Sequence, residues 1–438
     1  MPETPSTALT QLPDSCDVAV VGSGIVGAAT AAALAARGAR VVLLDKEDGP
    51  GREGSGRAQG SLRVQGRHGA ELALAREALA LWLEAAADSD IELVRGGNVY
   101  LQTREAEASI LRDLVTEAHA GGLTSVELLD ADQVRDVLPT ATGELLGGMW
   151  SPVDAQCQPS AGTAHFAARA ARAGAATCYG VKATRLVESA GRISAVETTA
   201  GRVSCRAVVV AAGVWTGHLT RTIGVSVPLM PVVMSELETQ PQPPLFTATL
   251  RAFGFGARQR PGGRVVVSAG LNATVQHGVS LADLDGLRHW APRALSFRKA
   301  IKLHLDVRRI LQQVRHRALL DPVLVPQHSP EPRVDTALVD ASLGRLAGVF
   351  PTLAGASVAR RWAGMVDMTP DGLPVVDANV GPEGLVVVAG LCGHGFTLGP
   401  ALGETAADLA LERRTHRAID DFALARFSGT VAQPTMLI

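Results

Sequence analysis

The chain has 438 residues with 41 basic and 43 acidic side chains, and its net charge of −2 excludes a whole-protein electrostatic preference for nucleic acid. Residues 1–13 lack the basic and apolar regions of a signal peptide, and we find no run of roughly 18–20 apolar residues that would cross a bilayer. The five cysteines are scattered without metal-binding spacing, so we predict no metal site and a reducing, cytoplasmic location.

Residues 17–45 have the pattern of a strand–turn–helix–strand unit. An apolar strand at 18–21 enters a G-S-G-I-V-G turn at 22–27, an alanine-rich helix follows, and a second apolar strand ends at Asp45. The first two glycines let the backbone approach a pyrophosphate, which binds the free N–H groups at the helix N-terminus. The Asp45 carboxylate accepts hydrogen bonds from ribose hydroxyls and repels a 2′-phosphate. The pattern therefore predicts a site for FAD or NAD, not NADP.

Two later segments have the pattern of further parts of the same sheet. Residues 205–213 form an apolar strand that ends in small residues, which suits a close approach of the backbone to a ligand. Residues 384–403 read as a strand, a glycine-rich turn and a helix whose N-terminus can face an anionic or electron-rich group. The predicted boundaries are 14–87, 151–224 and 336–430 for a discontinuous nucleotide-binding domain, and 88–150 and 225–335 for a second domain.

A basic segment lies within the second domain. Residues 293–317 carry eight basic side chains against the single acid Asp306, above a rough helical stripe of apolar residues. Three interpretations stay open: a solvated helical face, a docking surface for an acidic partner or a second copy, and a lid beside the active site.

The order of five motifs resembles one known family. The motifs are the G-x-G-x-x-G turn, GSGRAQGSLRVQGR (54–67), VVVAAGVWT (208–216), RRWAGMVDMTPDGLPVVD (360–377) and GLCGHGFTLGPALG (390–403). Together they resemble the D-amino-acid oxidase superfamily of FAD enzymes. Within it, the chain is most similar to the branch that contains glycine oxidase, the sarcosine oxidase β subunit, and the flavin subunits of opine dehydrogenase and hydrogen cyanide synthase. The resemblance implies an α/β fold: a discontinuous, Rossmann-like FAD-binding domain and a smaller α+β substrate domain with a mixed or antiparallel sheet.

The resemblance also implies how FAD is held. Gly364 stands where monomeric sarcosine oxidases have a tethering cysteine, so we predict non-covalent FAD. The implied contacts with the pyrophosphate, ribose, ribityl chain, adenine and flavin ring are Gly22, Gly24, Ile25, Val26, Gly27, Asp45, Lys46, Gly54, Ser55, Gly56, Arg57, Gln59, Gly60, Ser61, Val181, Ala211, Ala212, Gly213, Gly393, His394, Gly395, Phe396, Thr397 and Leu398.

The chemistry implied by the resemblance is dehydrogenation of a carbon–nitrogen bond. A hydride moves from the substrate to flavin N5, and the resulting imine is hydrolysed. Glycine oxidase-like members grip the substrate carboxylate with an arginine at the position of Val366, so here Arg63, Arg251 and Arg258 are the candidates for that role. The change to valine favours secondary or N-substituted amino acids. His394 either stabilises the reduced flavin or caps local backbone.

Two alternatives to a self-sufficient amine oxidase or dehydrogenase remain. The chain could be the flavin subunit of a heteromeric dehydrogenase that passes electrons to a partner protein, or a non-catalytic FAD-binding scaffold. The predicted partners are a small-molecule amine or amino acid and either a second copy or an electron-accepting protein, with no nucleic acid.

Overall fold

The computed structural model describes residues 11–270, 275–279, 289–290, 301–305, 307–316 and 325–428. In chain order the strands are β1 (Val18–Val21), β2 (Val41–Leu44), β3 (Ser61–Leu62), β4 (Asn98–Gln102), β5 (Glu127–Asp130), β6 (Gly147–Ser151), β7 (Ala155–Gln156), β8 (Ala176–Cys178), β9 (Ala183–Ser189), β10 (Arg192–Thr198), β11 (Gly201–Ser204), β12 (Ala207–Val210), β13 (Met230–Thr239), β14 (Thr249–Ala252), β15 (Phe255–Gln259), β16 (Val265–Ser268), β17 (Val275–Val279), β18 (Ile301–Leu305), β19 (Val358–Met368), β20 (Val375–Asp377) and β21 (Leu385–Ala389). The helices are α1 (Ile25–Ala36), α2 (Gly69–Ala87), α3 (Ala108–Ala120), α4 (Ala131–Val137), α5 (Pro159–Arg172), α6 (Thr216–Thr220), α7 (Val307–His316), α8 (Thr336–Val349) and α9 (Gly395–Glu412).

A six-stranded sheet with the order β20-β21-β12-β1-β2-β8 forms the nucleotide-binding half of the fold. Its pairs are parallel except for β20 and β21. The central strands are short valine- and leucine-rich runs, which suit a sheet buried on both faces. Successive residues alternate between two apolar clusters, one of which includes Val20 and Leu43 with helices α1, α2, α5 and α9, and the other Val21 and Leu44.

The turn after β1 requires glycine because backbone passes close to it on two sides. Gly22 has φ of +101°, and a Cβ there would lie 2.4 Å from the carbonyl oxygen of Ala211 at the end of β12. A Cβ on Gly27 would lie 1.8 Å from the Gly22 carbonyl oxygen. Helix α1 therefore begins directly above the carboxyl ends of β1, β2 and β12, where open α/β sheets bind ligands.

The second half of the fold is built on a ten-stranded sheet with the order β18-β17-β13-β16-β15-β14-β4-β6-β5, on which β19 also pairs with β13. Most pairs are antiparallel, but β4 with β14 and β17 with β18 are parallel. The predicted mixed sheet and the α/β fold class are thus confirmed. Alternate residues of β13 and the last five residues of β19 form one wall of the cavity described below.

One predicted domain boundary disagrees with the observed strand pairing. The sequence placed residues 336–368 in the nucleotide-binding domain, yet β19 pairs with β13 over almost its whole length, from Val358 to Met368. Helix α8 packs on β13, β15 and β16 of the same sheet. Backbone hydrogen bonds and apolar packing therefore attach this stretch to the ten-stranded sheet.

The basic segment at 293–317 lies partly outside the described residues, which include 301–305 and 307–316 of it. Of it, the structure describes strand β18 and helix α7, and α7 leaves Val307, Leu311 and Val314 exposed along one side. Within the described part of the chain, none of the helices combines the length and apolar character that crossing a bilayer requires.

Candidate active site

A cavity of about 460 Å³ lies between the carboxyl ends of the six-stranded sheet and one face of the ten-stranded sheet. Most of the predicted cofactor contacts line it: Gly22, Gly24, Ile25, Val26, Asp45, Lys46, Gly54, Ser55, Arg57, Gln59, Ser61, Val181, Ala211, Ala212, Gly213, Gly393, His394, Gly395 and Phe396. Gly27, Gly56, Gly60, Thr397 and Leu398 do not line the cavity. Three of these are glycines packed against backbone, on Gly22, Gly51 and Cys157, so their role is close packing behind the lining.

The N-terminus of α1 fits a pyrophosphate. A Cβ on Gly24 would stand 3.0 Å from the Ser55 hydroxyl oxygen and meet no other atom within 4 Å, so the space above this glycine opens into the cavity. The Ile25 N–H donates to the Ser55 hydroxyl at 2.9 Å. That contact brings the 54–61 loop to the first turn of the helix. Backbone N–H groups at such a position bind phosphate oxygens, and the helix dipole adds to the attraction.

Asp45 fits the ribose role. Its partly buried carboxylate accepts hydrogen bonds from the Ser23 N–H at 2.6 Å, the Ser23 hydroxyl at 2.7 Å and the Glu47 N–H at 2.8 Å. Burial raises the pKa of this carboxyl, although these three donors oppose the shift. A carboxylate has about four acceptor positions, so one is left for a ribose hydroxyl. The Val181 N–H donates to the Asp45 carbonyl at 2.8 Å, which places the predicted adenine contact beside it.

Lys46, the other predicted ribose contact, is hydrogen-bonded to protein side chains instead. Its ammonium donates to Glu47 and Glu53 at 2.7 Å each and to the Ser329 hydroxyl at 2.8 Å. An ammonium has three donors, so in this arrangement none is left for a ribose. The residue instead ties the end of β2 to the 54–61 loop, and Trp215 donates to the same Glu53.

The end of the cavity at the start of α9 contains a buried charged network that the sequence reasoning found only in part. The His394 Nδ1 lies 2.9 Å and 3.0 Å from the two oxygens of Glu71, a fully buried carboxylate on α2. Burial lowers the pKa of His394, against the opposing pull of Glu71. Arg67 donates to the Thr397 hydroxyl at 3.1 Å and to the Arg63 carbonyl at 3.0 Å. Hydrogen bonding to Glu71 therefore fixes the orientation of the His394 ring, in addition to any capping of the local backbone by this residue.

The three candidate arginines occupy different places. Arg63 and Arg251 line the cavity, whereas Arg258 does not. Arg258 donates through Nε to the Gln59 carbonyl, and through its other nitrogens to Gln158 at 2.8 Å and Gln156 at 3.4 Å. The expectation that Arg258 could receive the substrate carboxylate does not fit these contacts. Its guanidinium supports the 54–61 loop from behind.

The positive charge beside the cavity is only partly balanced. Arg63 is buried, and its pKa is lowered well below the usual value by burial and by the nearby Arg251 and Arg67. Asp154 opposes the lowering at Arg63, and Glu71 with Asp154 opposes it at Arg67. Burial raises the pKa of Asp154 to about 6. The Arg251 Nε is buried without a hydrogen-bond partner among the described residues. An anionic group of a bound ligand would balance this excess of positive charge.

Val366 lines the cavity as predicted, and β13 places Val232 directly opposite it. This part of the wall is apolar, since Met230, Met234 and Met368 also line it. The sequence reasoning missed Glu236, a buried acid on the same face of β13 that lines the cavity as well. Alternation along Met230, Val232, Met234 and Glu236 is the signal that could have found it.

We expect FAD to be released when the protein is denatured. No cysteine stands at position 364, and a Cβ there would already lie 3.0 Å from the Arg57 Cβ. After acid precipitation and centrifugation, the yellow colour should remain in the supernatant. Colour retained in the pellet would show a covalent link between flavin and protein and would contradict this prediction.

A glycine turn, an acid at the end of β2 and a helix N-terminus on one side of the cavity are the features of a dinucleotide-binding site, and Arg251 faces them from the sheet on the other side. The chain belongs to the DAO family of FAD-dependent oxidoreductases, whose family model matches residues 17–409. Glycine oxidase of Geobacillus kaustophilus is 28% identical, over 95% of this chain and 98% of that protein. D-amino acid dehydrogenase of Methylobacterium nodulans is 26% identical, over 94% and 99%.

Solved structures have the same fold. The structure of glycine oxidase from Geobacillus kaustophilus superposes with a TM-score of 0.76 at 26% identity, covering 94% of this chain and 99% of that one. L-amino acid deaminase from Proteus vulgaris has a TM-score of 0.84 at 24% identity, covering 95% and 98%. The predicted family, fold class and FAD cofactor are confirmed by these findings.

Proposed function

We propose that this FAD-dependent oxidoreductase oxidises the carbon–nitrogen bond of an amino acid, and that it accepts secondary or N-substituted amines in preference to glycine. The observation that carries the proposal is that one cavity joins the nucleotide-binding turn to a sheet face with Arg251, whose Nε is buried without a hydrogen-bond partner among the described residues. The relatives named above act on amino acids, which supports the same class of substrate.

The bound flavin would supply the redox chemistry by accepting a hydride from the carbon next to the amine nitrogen, which leaves an imine for hydrolysis. The chain itself supplies orientation and electrostatics. Arg251 and Arg63 attract the substrate carboxylate, and Val232 with Val366 pack against its carbon atoms. The N-terminus of α9 and the ring of His394, fixed by Glu71, favour negative charge on the group that they face.

We expect every N-alkyl amino acid of a panel to exceed glycine in kcat/KM. Val366 replaces a guanidinium, and the loss of one charged hydrogen-bonding group costs about 2–3 kcal/mol, or roughly a hundredfold in carboxylate affinity. Glycine has little other surface with which to bind. Larger amines bury carbon against Val232 and Val366 at about 25 cal/mol per Å². A panel in which glycine has the highest kcat/KM would contradict the preference.

The experiment that tests the proposal is anaerobic mixing of the yellow protein with N-methyl amino acids, followed by air. Bleaching followed by rapid recolouring identifies an oxidase. Bleaching followed by slow recolouring identifies a dehydrogenase subunit that needs an electron-accepting partner or a second copy. A flavin that dithionite bleaches but no amine or amino acid does would identify a scaffold. We also propose a cytoplasmic location, because all five cysteines are free thiols.

A further inference from the structure

One row of paired residues crosses the cavity wall of the ten-stranded sheet from Arg251 to Glu236. Arg251 on β14 pairs with Gly256 on β15, Gly256 with Ser268 on β16, and Ser268 with Glu236 on β13. All four residues line the cavity. Adjacent strands lie about 4.8 Å apart, so three steps separate the backbones of Arg251 and Glu236 by about 14 Å. The two residues between them are small, and the amide of Gln59 fills the space directly over Gly256.

The carboxyl of Glu236 lacks the partners that buried acids normally have. Its Oε2 has no hydrogen-bond partner among the described residues, and the side chain is 6% exposed. Burial raises its pKa to about 8, although Arg258 and Arg360 oppose this shift. Glu238, two residues along the same strand, shows the contrast, because its carboxylate accepts hydrogen bonds from Arg260 at 3.0 Å and Arg360 at 3.1 Å.

A second unpartnered polar atom lies beside the row. The Gln59 Nε2 is buried without a partner among the described residues, and it lies 3.0 Å from where a Cβ on Gly256 would stand. A buried polar group without a hydrogen bond costs about 1–3 kcal/mol, so the Glu236 oxygen indicates a hydrogen-bond donor in the ligand. The Gln59 amide, a predicted flavin contact, needs an acceptor instead.

We propose that Glu236 binds a cationic group at the far end of the substrate while Arg251 binds the substrate carboxylate. This inference rests on the proposed function and narrows its substrate class to amino acids whose side chains end in a cation. The α-ammonium of an amino acid lies only about 3 Å from its carboxylate, too near to span the row. Four methylenes place a terminal ammonium about 8 Å from the carboxylate, and one charge-assisted hydrogen bond of about 2.8 Å at each end extends this to about 14 Å. Side chains stand roughly perpendicular to a sheet, so this reach matches the separation of the two strands.

Binding of an unreactive pair of ligands tests the proposal on the FAD-loaded protein. 6-Aminohexanoate has a carboxylate and a distal ammonium but no α-amine, and hexanoate lacks the ammonium. From the change in flavin absorbance, we expect 6-aminohexanoate to bind at least tenfold more tightly than hexanoate. Glu236→Gln should reduce this ratio below twofold, whereas Glu236→Asp should keep a ratio between the two. Glu238→Gln is the matched control and should keep the wild-type ratio.

Equal binding of the two ligands to the wild-type protein, or a wild-type ratio in Glu236→Gln, would overturn the proposal. Flavin reduction by Nα-methyllysine and N-methylnorleucine separates this inference from the proposed function. If both amino acids reduce the flavin and Glu236→Gln lowers the two rates equally, the proposed function stands and Glu236 does not bind the distal cation. If neither reduces the flavin but the ligand ratio depends on Glu236, the binding site stands and the proposed reaction fails.

Discussion

Gly24→Val should fold but purify without bound flavin. Gly24 has no positive φ, and a side chain at this position meets only the Ser55 hydroxyl, at 3.0 Å from its Cβ. The two γ-methyl groups of valine would extend into the cavity over the first turn of α1, where the pyrophosphate binds. Because FAD affinity depends on this approach, we expect the ratio of flavin to protein absorbance to fall at least tenfold.

The neighbouring glycines show why this variant is informative. A Cβ on Gly22 or Gly27 would lie within 2.4 Å of a backbone oxygen, so substitutions there damage the fold itself. Gly344→Val on α8 is the matched control, because a Cβ there meets nothing within 4 Å and the residue does not line the cavity. It should keep its flavin. A Gly24→Val protein that is as yellow as the parent would place the cofactor somewhere other than this turn.

Arg251→Met should lower kcat/KM for N-methyl amino acids about a hundredfold. The side chain lines the cavity, and its guanidinium is held 5.9 Å from the centre of the Tyr100 ring. A hydrogen bond from a charged group to a buried carboxylate contributes about 1.5–3 kcal/mol, and methionine keeps the volume without the charge. The burial that lowers the pKa of Arg251 also makes an anionic partner more favourable.

The substrate supplies the control for this prediction. An N-methylamine that has the same side chain but no carboxylate should lose less than threefold in kcat/KM with Arg251→Met. Arg345→Met is the control variant, because Arg345 donates to the Gly254 carbonyl at 3.3 Å and does not line the cavity. An equal loss for the amine and the amino acid would mean that Arg251 shapes the pocket without binding the carboxylate, and would favour Arg63 for that role.

The nucleotide-binding side could be predicted from sequence because its signals are local. Two glycine patterns follow apolar runs, at the turn 22–27 and at the turn before α9. The structure brings both turns to one cavity, together with Asp45 and residues 211–213. That β19 belongs to the ten-stranded sheet could not be predicted in this way. Its partner β13 lies about 120–140 residues earlier in the chain, and no local pattern encodes that pairing.

The polar residues of the substrate wall were harder to predict for a related reason. Arg258 and Arg251 are seven residues apart on neighbouring strands, yet one packs behind the 54–61 loop and the other faces the cavity. Only the position of that loop, brought from a distant part of the chain, distinguishes them. Glu236 and Glu71 stand beside apolar residues in the sequence with no motif around them. Their roles can be inferred only from the structure, which places Glu236 at the cavity and Glu71 beside His394.

A crystal structure of the FAD-loaded protein with 6-aminohexanoate would test most directly that one cavity holds the cofactor and a substrate across this row. We expect the pyrophosphate at the N-terminus of α1 and the flavin ring beside the 54–61 loop. The ligand carboxylate should lie within hydrogen-bond distance of Arg251, and its ammonium should reach Glu236. A flavin ring elsewhere, or a ligand bound in that crystal without contact to either residue, would contradict the account.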